Sequence, residues 1–170
     1  MSLTFGFTSI LDLFEKLKRG AVLLDEKVTS DRFFNFVITG YTMIDWVKND
    51  STIPATISKQ SVVEEELYKD EWLKICRDIA TASKHFKLNT RKPITSSATS
   101  SQGFGAGRFG KGGFGTGEEG IKITLDDGTT FNCLDLAQNV IRTWQLFIME
   151  TTFNKTMLAH FSLIFVTHNG

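Results

Sequence analysis

Apolar Ile10, Leu13, Phe14 and Leu17 recur at the three-and-four spacing of one helix face, with Thr8 or Ser9 ahead of them as a hydroxyl cap. The basic turn Lys16, Lys18, Arg19 followed by Gly20 predicts that this helix ends there. Polar residues 25–29 then read as a connection. Ser30 and Asp31 open a longer run in which Phe33, Phe36, Val37, Gly40, Met43, Ile44 and Val47 keep helical spacing. Phe34, Tyr41 and Trp46 widen its apolar stripe, which predicts contact with more than one neighbouring helix and a central place in a bundle. Asn49, Asp50, Ser51 and Pro54 end it. Ser61 and Glu64 have the spacing of a capping box. From Asp70, the residues Trp72, Ile75, Cys76, Ile79, Ala82, Ser83 and Phe86 form a second clean stripe, with either one helix or two covering 61–86.

The pattern changes abruptly after Arg91-Lys92-Pro93. A Ser/Thr tract to Ser101 leads into three successive Phe-Gly-x-Gly-x pentads starting at Phe104, Phe109 and Phe114. A period of five fits neither strand nor helix, and each glycine costs about 1 kcal/mol in a helix, so 91–118 is expected to be a flexible basic segment. Ile121, Ile123 and Leu125 then alternate with Lys122 and Thr124. Asp127-Gly128 supplies a two-residue turn, and Phe131 and Cys133 alternate on the return, which predicts a β-hairpin over about 121–132. A last helix runs from about Leu134 with Ala137, Val140, Ile141, Trp144, Phe147 and Ile148 on one side. The apolar residues 157–166 either extend that helix past a kink or form a separate element. The expected architecture is mainly α: one domain over 1–170, an up-and-down bundle of four or five helices with one inserted β-hairpin and a Gly/Phe-rich loop.

Composition narrows the function classes. A chain of 170 residues with 41% hydrophobic residues supports a single core. Two cysteines exclude a disulfide scaffold and a zinc framework, which makes the reduced cytoplasm the expected location. The apolar stretch 157–166 is far short of the ~20 residues that cross a bilayer, and the N-terminal residues lack a secretory-signal pattern, so no membrane partner is expected.

The 19 basic and 19 acidic residues cancel, but their distribution is uneven. No Asp or Glu occurs over 79–117, whereas Lys84, Lys87, Arg91, Lys92, Arg108 and Lys111 are all there. With interleaved Phe rings, such a segment suits RNA phosphates and bases; a solvated loop gives the same composition. Gly105 to Gly110 matches the letters of a dinucleotide-binding fingerprint, but no strand delivers it to a helix, so no cofactor is expected. His85, His160 and His168 lack metal-ligand spacing, so no metal is expected. On a helix, Arg77, Thr81 and Lys84 share one side while Asp78 and His85 share another. Arg77 and His85 are therefore the catalytic candidates, with Lys84 on phosphate and Asp45 and Asp78 as supporting acids. The structural alternative pairs Arg77 with an acid of the bundle and leaves Lys84 and His85 as cations at a helix C-terminus. Cys76 reads as a packed small hydrophobe.

Phe33 to Tyr41 with Met43-Ile44-Asp45-Trp46, Cys76 to Ala80 through Ser83-Lys84-His85-Phe86, Leu125-Asp126-Asp127-Gly128 and a helix bearing Trp144 together resemble a family of small, uncharacterised bacterial helical-bundle proteins. That family is in turn similar to the HEPN superfamily, many of whose members are ribonucleases or partners in toxin–antitoxin and phage-defence systems. The resemblance implies a homodimer that binds or cleaves RNA. Seven residues separate Arg77 from His85, wider than the Arg-to-His spacing of HEPN nucleases, so whether the chain is an enzyme stays open. The rival expectation is a non-enzymatic interaction or structural module that engages a protein partner through its Phe-Gly pentads and apolar tail.

Overall fold

The structure is a computed structural model describing residues 6–85, 92–103 and 119–167, with side chains except at 60–61, 83–85 and 152–167. Helix α1 (Ile10–Glu26) starts where the pattern places it. The Ser9 hydroxyl accepts from the Asp12 amide and the Asp12 carboxylate accepts from the Ser9 amide at 2.9 Å, so two otherwise orphaned donors are satisfied. The helix does not stop at Gly20. Leu24, two turns beyond Leu17, is fully buried, and that burial offsets the roughly 1 kcal/mol a helical glycine costs.

Helix α2 (Ser30–Asn49), capped by Thr29, buries Phe33, Phe36, Val37, Met43, Ile44 and Val47 and packs on α1 and on the helices over Glu71–His85 and Cys133–Thr167; of the residues that widen its stripe, Tyr41 and Trp46 pack against the core and Phe34 stays exposed. Its end is locked to the start of α1 by buried Asp50, whose carboxylate accepts from the amides of Ile10 (2.6 Å) and Thr52 (2.7 Å). Two short helices follow, α3 (Ala55–Ser58) and α4 (Gln60–Glu66). Ser61, expected to precede the helix as its cap, falls inside α4, whose N-cap is Lys59, two residues earlier, with no side-chain cap bond. The stretch thus holds two helices. The second, α5 (Glu71–His85), is capped by Asp70, which accepts from Leu73 at 2.9 Å. Helix α6 (Cys133–Thr167) extends through 157–166.

The Ser/Thr tract is not a flexible segment. It forms strand β1 (Thr95–Ser101), which pairs antiparallel with β2 (Gly120–Leu125), and β2 pairs antiparallel with β3 (Thr130–Asn132). The expected hairpin is therefore the second half of a three-stranded sheet ordered β1-β2-β3. Its turn uses Gly128 at φ +86°, a conformation glycine adopts without strain. Ile121, Ile123 and Leu125 bury one face of β2 against the bundle, and Phe131 meets Trp72 edge-to-face at 5.5 Å. Cys133, expected on the return strand, instead opens α6, where the Asn132 side chain accepts from Leu134 and Asp135.

The four long helices converge at Gly40. Its carbonyl accepts from the buried Trp144 indole at 3.1 Å, and Val140, Leu17 and Cys76 stand within van der Waals reach of where its Cβ would be. Ile10 shares a cleft with Ile148 and Thr151, and Val22 one with Gln138, so α1 and α6 run antiparallel. The fold is mainly α, with the small sheet applied to one side. Among the described residues no helix is long and apolar enough to cross a membrane.

Candidate nucleic-acid interface

Helix α5 is continuous from Glu71 to His85, so Arg77, Asp78, Thr81, Lys84 and His85 do lie on one rod. Asp78 is buried and already employed: its carboxylate accepts from the backbone amides of Ile94 at 2.7 Å and Thr95 at 3.0 Å. Charged acceptors form the stronger class of hydrogen bond. This one fastens the start of β1 to the middle of α5. Arg77, next along the helix, is half-buried with its Nε enclosed.

His85 and Lys84 occupy the last turn of α5. By helical geometry His85 falls two turns beyond Asp78 on nearly the same meridian. Lys87, Arg91, Arg108 and Lys111 lie outside the described residues, as do the Phe-Gly pentads. Lys92 is exposed and pairs with Asp126 at 2.7 Å; that hydrogen bond and the carboxylate's charge hold its ammonium above the usual lysine range. Asp45 is not brought to α5's cations by any ion pair among the described residues. It is exposed and lies 3.6 Å from Lys48 of its own helix.

Strand β1, tied to the middle of α5, carries a row of hydroxyls. Ser96, Ser97, Thr99, Ser100 and Ser101 are exposed on an edge strand, with the Ser96 hydroxyl donating to the Thr124 carbonyl. Burial pushes the Cys76 thiol well above its ordinary pKa, which leaves it protonated and unsuited to nucleophilic attack. Among the described residues no cluster of His, Cys, Asp or Glu is arranged to hold a metal ion.

A second set of cations escaped the sequence argument. Lys16 and Arg19 of α1 and Arg32 of α2 border one groove of about 400 Å3 between the two helices. In the sequence, the first two look like ordinary charges at a helix end and Arg32 like part of a helix's first turn. The signal that could have found them is the hairpin itself, which folds i, i+3 and i+7 positions of α1 (16, 19, 23) against those of α2 (32, 35, 39). Compared with known proteins, the chain matches no family model, no curated protein and no solved structure.

Proposed function

We propose that this chain is a HEPN-like helical-bundle module that binds RNA through the end of the molecule where α5 leads toward β1. The observation that carries the reading is the Asp78 carboxylate. By tying Ile94 and Thr95 to the middle of α5, it fixes the chain just after exposed Lys92, while Lys84 lies on the last turn of the same helix. The exposed hydroxyls of β1 add neutral hydrogen-bonding groups, and 79–117 contains no acid of its own, so the carboxylate that phosphate would displace from Lys92 is that of Asp126.

Binding is favoured over cleavage. Asp78 is committed to the backbone of β1 and is therefore a structural support rather than a partner of His85 in proton transfer. A role in toxin–antitoxin or phage defence and a cytoplasmic location belong to the same proposal. So does a homodimer, for which exposed Leu11 and Val22 of α1 and Leu146 and Met149 of α6 supply apolar surface; light scattering at the mass of one chain would remove that part.

The test is fluorescence anisotropy with a single-stranded RNA across a salt series. The expected result is binding that weakens steeply with salt and is lost when Lys84, Lys87, Arg91 and Lys92 are changed to Glu. Unchanged anisotropy at low salt, or affinity indifferent to these four changes, would overturn the reading. RNA integrity monitored in the same samples, with His85→Ala beside the wild type, separates binding from turnover.

A further inference from the structure

The α1/α2 groove has the chemistry of a receptor for a compact anion. Arg19 is exposed on its rim, and Lys16 directs its ammonium onto the Thr39 hydroxyl, which itself donates to the Asn35 carbonyl at 2.8 Å. Thr39 thus has only lone pairs to offer Lys16, and the ammonium is held in one place with donors to spare. Arg32 reaches back from α2 and engages the carbonyls of Leu23 and Lys27 at the end of α1 through one terminal nitrogen. That contact fixes the plane of the guanidinium. Among the described residues its second terminal nitrogen and Nε make no other bond.

Three cations converge here, yet no carboxylate lines the groove, and among the described residues none of the three forms an ion pair. Glu15, the nearest acid in sequence to Lys16, instead pairs with Lys18 on another side of the helix. Desolvation and the neighbouring charge of Arg19 both disfavour the Lys16 ammonium, which holds its pKa below the ordinary lysine value. Folding therefore brings three positive charges to one groove whose acceptors are a hydroxyl and backbone carbonyls, with no carboxylate among its lining residues. Gly20 and exposed Leu23 keep the trough open; a Cβ on Gly20 would stand 3.6 Å from the buried Phe36 ring beneath it.

We propose that this groove binds a small multivalent phosphate, of pyrophosphate or terminal-phosphoryl type, clamped by Lys16, Arg19 and Arg32. A forked guanidinium held in plane suits two phosphate oxygens and a lysine ammonium a third, and the volume falls within the range of small-ligand sites. The groove is built from α1 and α2 alone, so the inference does not depend on the RNA reading at α5.

Isothermal titration of the full chain with sodium pyrophosphate tests it. The expected result is saturable one-site binding that weakens on the order of tenfold in Arg19→Gln and again in Arg32→Gln, each of which removes a charged hydrogen-bonding group. Lys16→Met should lose affinity comparably while unfolding at no lower temperature than the wild type, because it also removes the repulsion from Arg19; that combination separates a binding role from a structural one. Lys59→Gln with Lys122→Gln, two exposed lysines that do not line the groove, should leave the titration unchanged. Absence of saturable heat in the wild type, indifference to the Arg19 and Arg32 changes, or equal loss in the Lys59/Lys122 variant would each overturn the proposal. A competing 5′-hydroxyl RNA, which offers only phosphodiesters, should leave pyrophosphate binding unchanged; displacement would assign the groove to a nucleic-acid backbone and overturn the proposal.

Discussion

Two helical glycines make opposite forecasts for the same substitution. Alanine in place of glycine inside a helix gains about 1 kcal/mol from backbone entropy if the new methyl fits. At Gly20 it fits: the nearest heavy atom to the added Cβ is Phe36 Cδ2 at 3.6 Å, ordinary contact. Gly20→Ala should therefore stabilise by about 0.5–1 kcal/mol. At Gly40 the methyl meets Val140 Cγ1 at 3.2 Å, with Leu17 Cδ1 at 3.7 Å and Cys76 Sγ at 3.8 Å on other sides. Val140 and Leu17 are fully buried and on different helices, so relief at one is limited by the other, and overpacking of this kind costs about 1–3 kcal/mol. The net for Gly40→Ala is a loss of roughly 0–2 kcal/mol, which separates the two variants by about 2 kcal/mol. For a domain of this size that is about 4–8 °C between their midpoints in thermal unfolding followed by circular dichroism. A further check is coupling: Val140→Ala should cost less in the Gly40→Ala background than in the wild type. If Gly40→Ala melts at or above Gly20→Ala, or the cycle shows no coupling, the four helices do not converge at Gly40 as described.

Other outcomes follow from single contacts. Asp78→Ala should destabilise by about 2 kcal/mol or more, since it deprives two amides of a charged acceptor, and hydrogen exchange should rise first at Ile94, Thr95 and β1. Both cysteines are buried, so a thiol reagent should label neither Cys76 nor Cys133 until denaturant is added; prompt labelling of the native chain would contradict that packing. Asp12 is held below its ordinary pKa of 3.8 by hydrogen bonds from Thr8 and Ser9, and Asp127 chiefly by the Thr129 amide. Because their folded-state pKa values are depressed, they contribute stability above pH 3.8 that is lost as pH falls through the folded values; denaturation midpoints of Asp12→Asn should converge on the wild type in that acid window. Lys48 shows the opposite sign. The Tyr68 hydroxyl, to which it donates at 3.0 Å, raises its pKa, so its contribution is present below pH 10.5 and lost only as pH rises through the higher folded value, and Tyr68→Phe should narrow the alkaline limit of stability.

What could be read from the chain was local. The Ser9 cap, the double-faced stripe of α2, the rod of α5 and the Asp127-Gly128 turn each rest on residues within a few positions of one another, and each stands where it was expected. The failures share a physical origin. Gly20 looks like a stop signal, but Leu24 finds a fully buried place only after the helix continues. Residues 95–101 have no apolar alternation to announce a strand, because their register comes from β2 and from a carboxylate on α5, both distant in sequence. The phosphate-type groove was illegible for the same reason, since Lys16 and Arg32 become neighbours only when α1 turns back on α2.

Contiguity of the groove has a kinetic side. Everything that lines it comes from the single stretch 16–39, the first helical hairpin, whereas β1 must find β2 across residues 102–119 and α6 must return from the far end of the chain to cover Gly40. Short-range contacts close quickly and long-range ones slowly, so residues 16–39 should come together early in the folding reaction and the sheet late. An anion captured there would reward the earliest assembled part of the protein and stabilise a hairpin that is marginal until α5 and α6 dock.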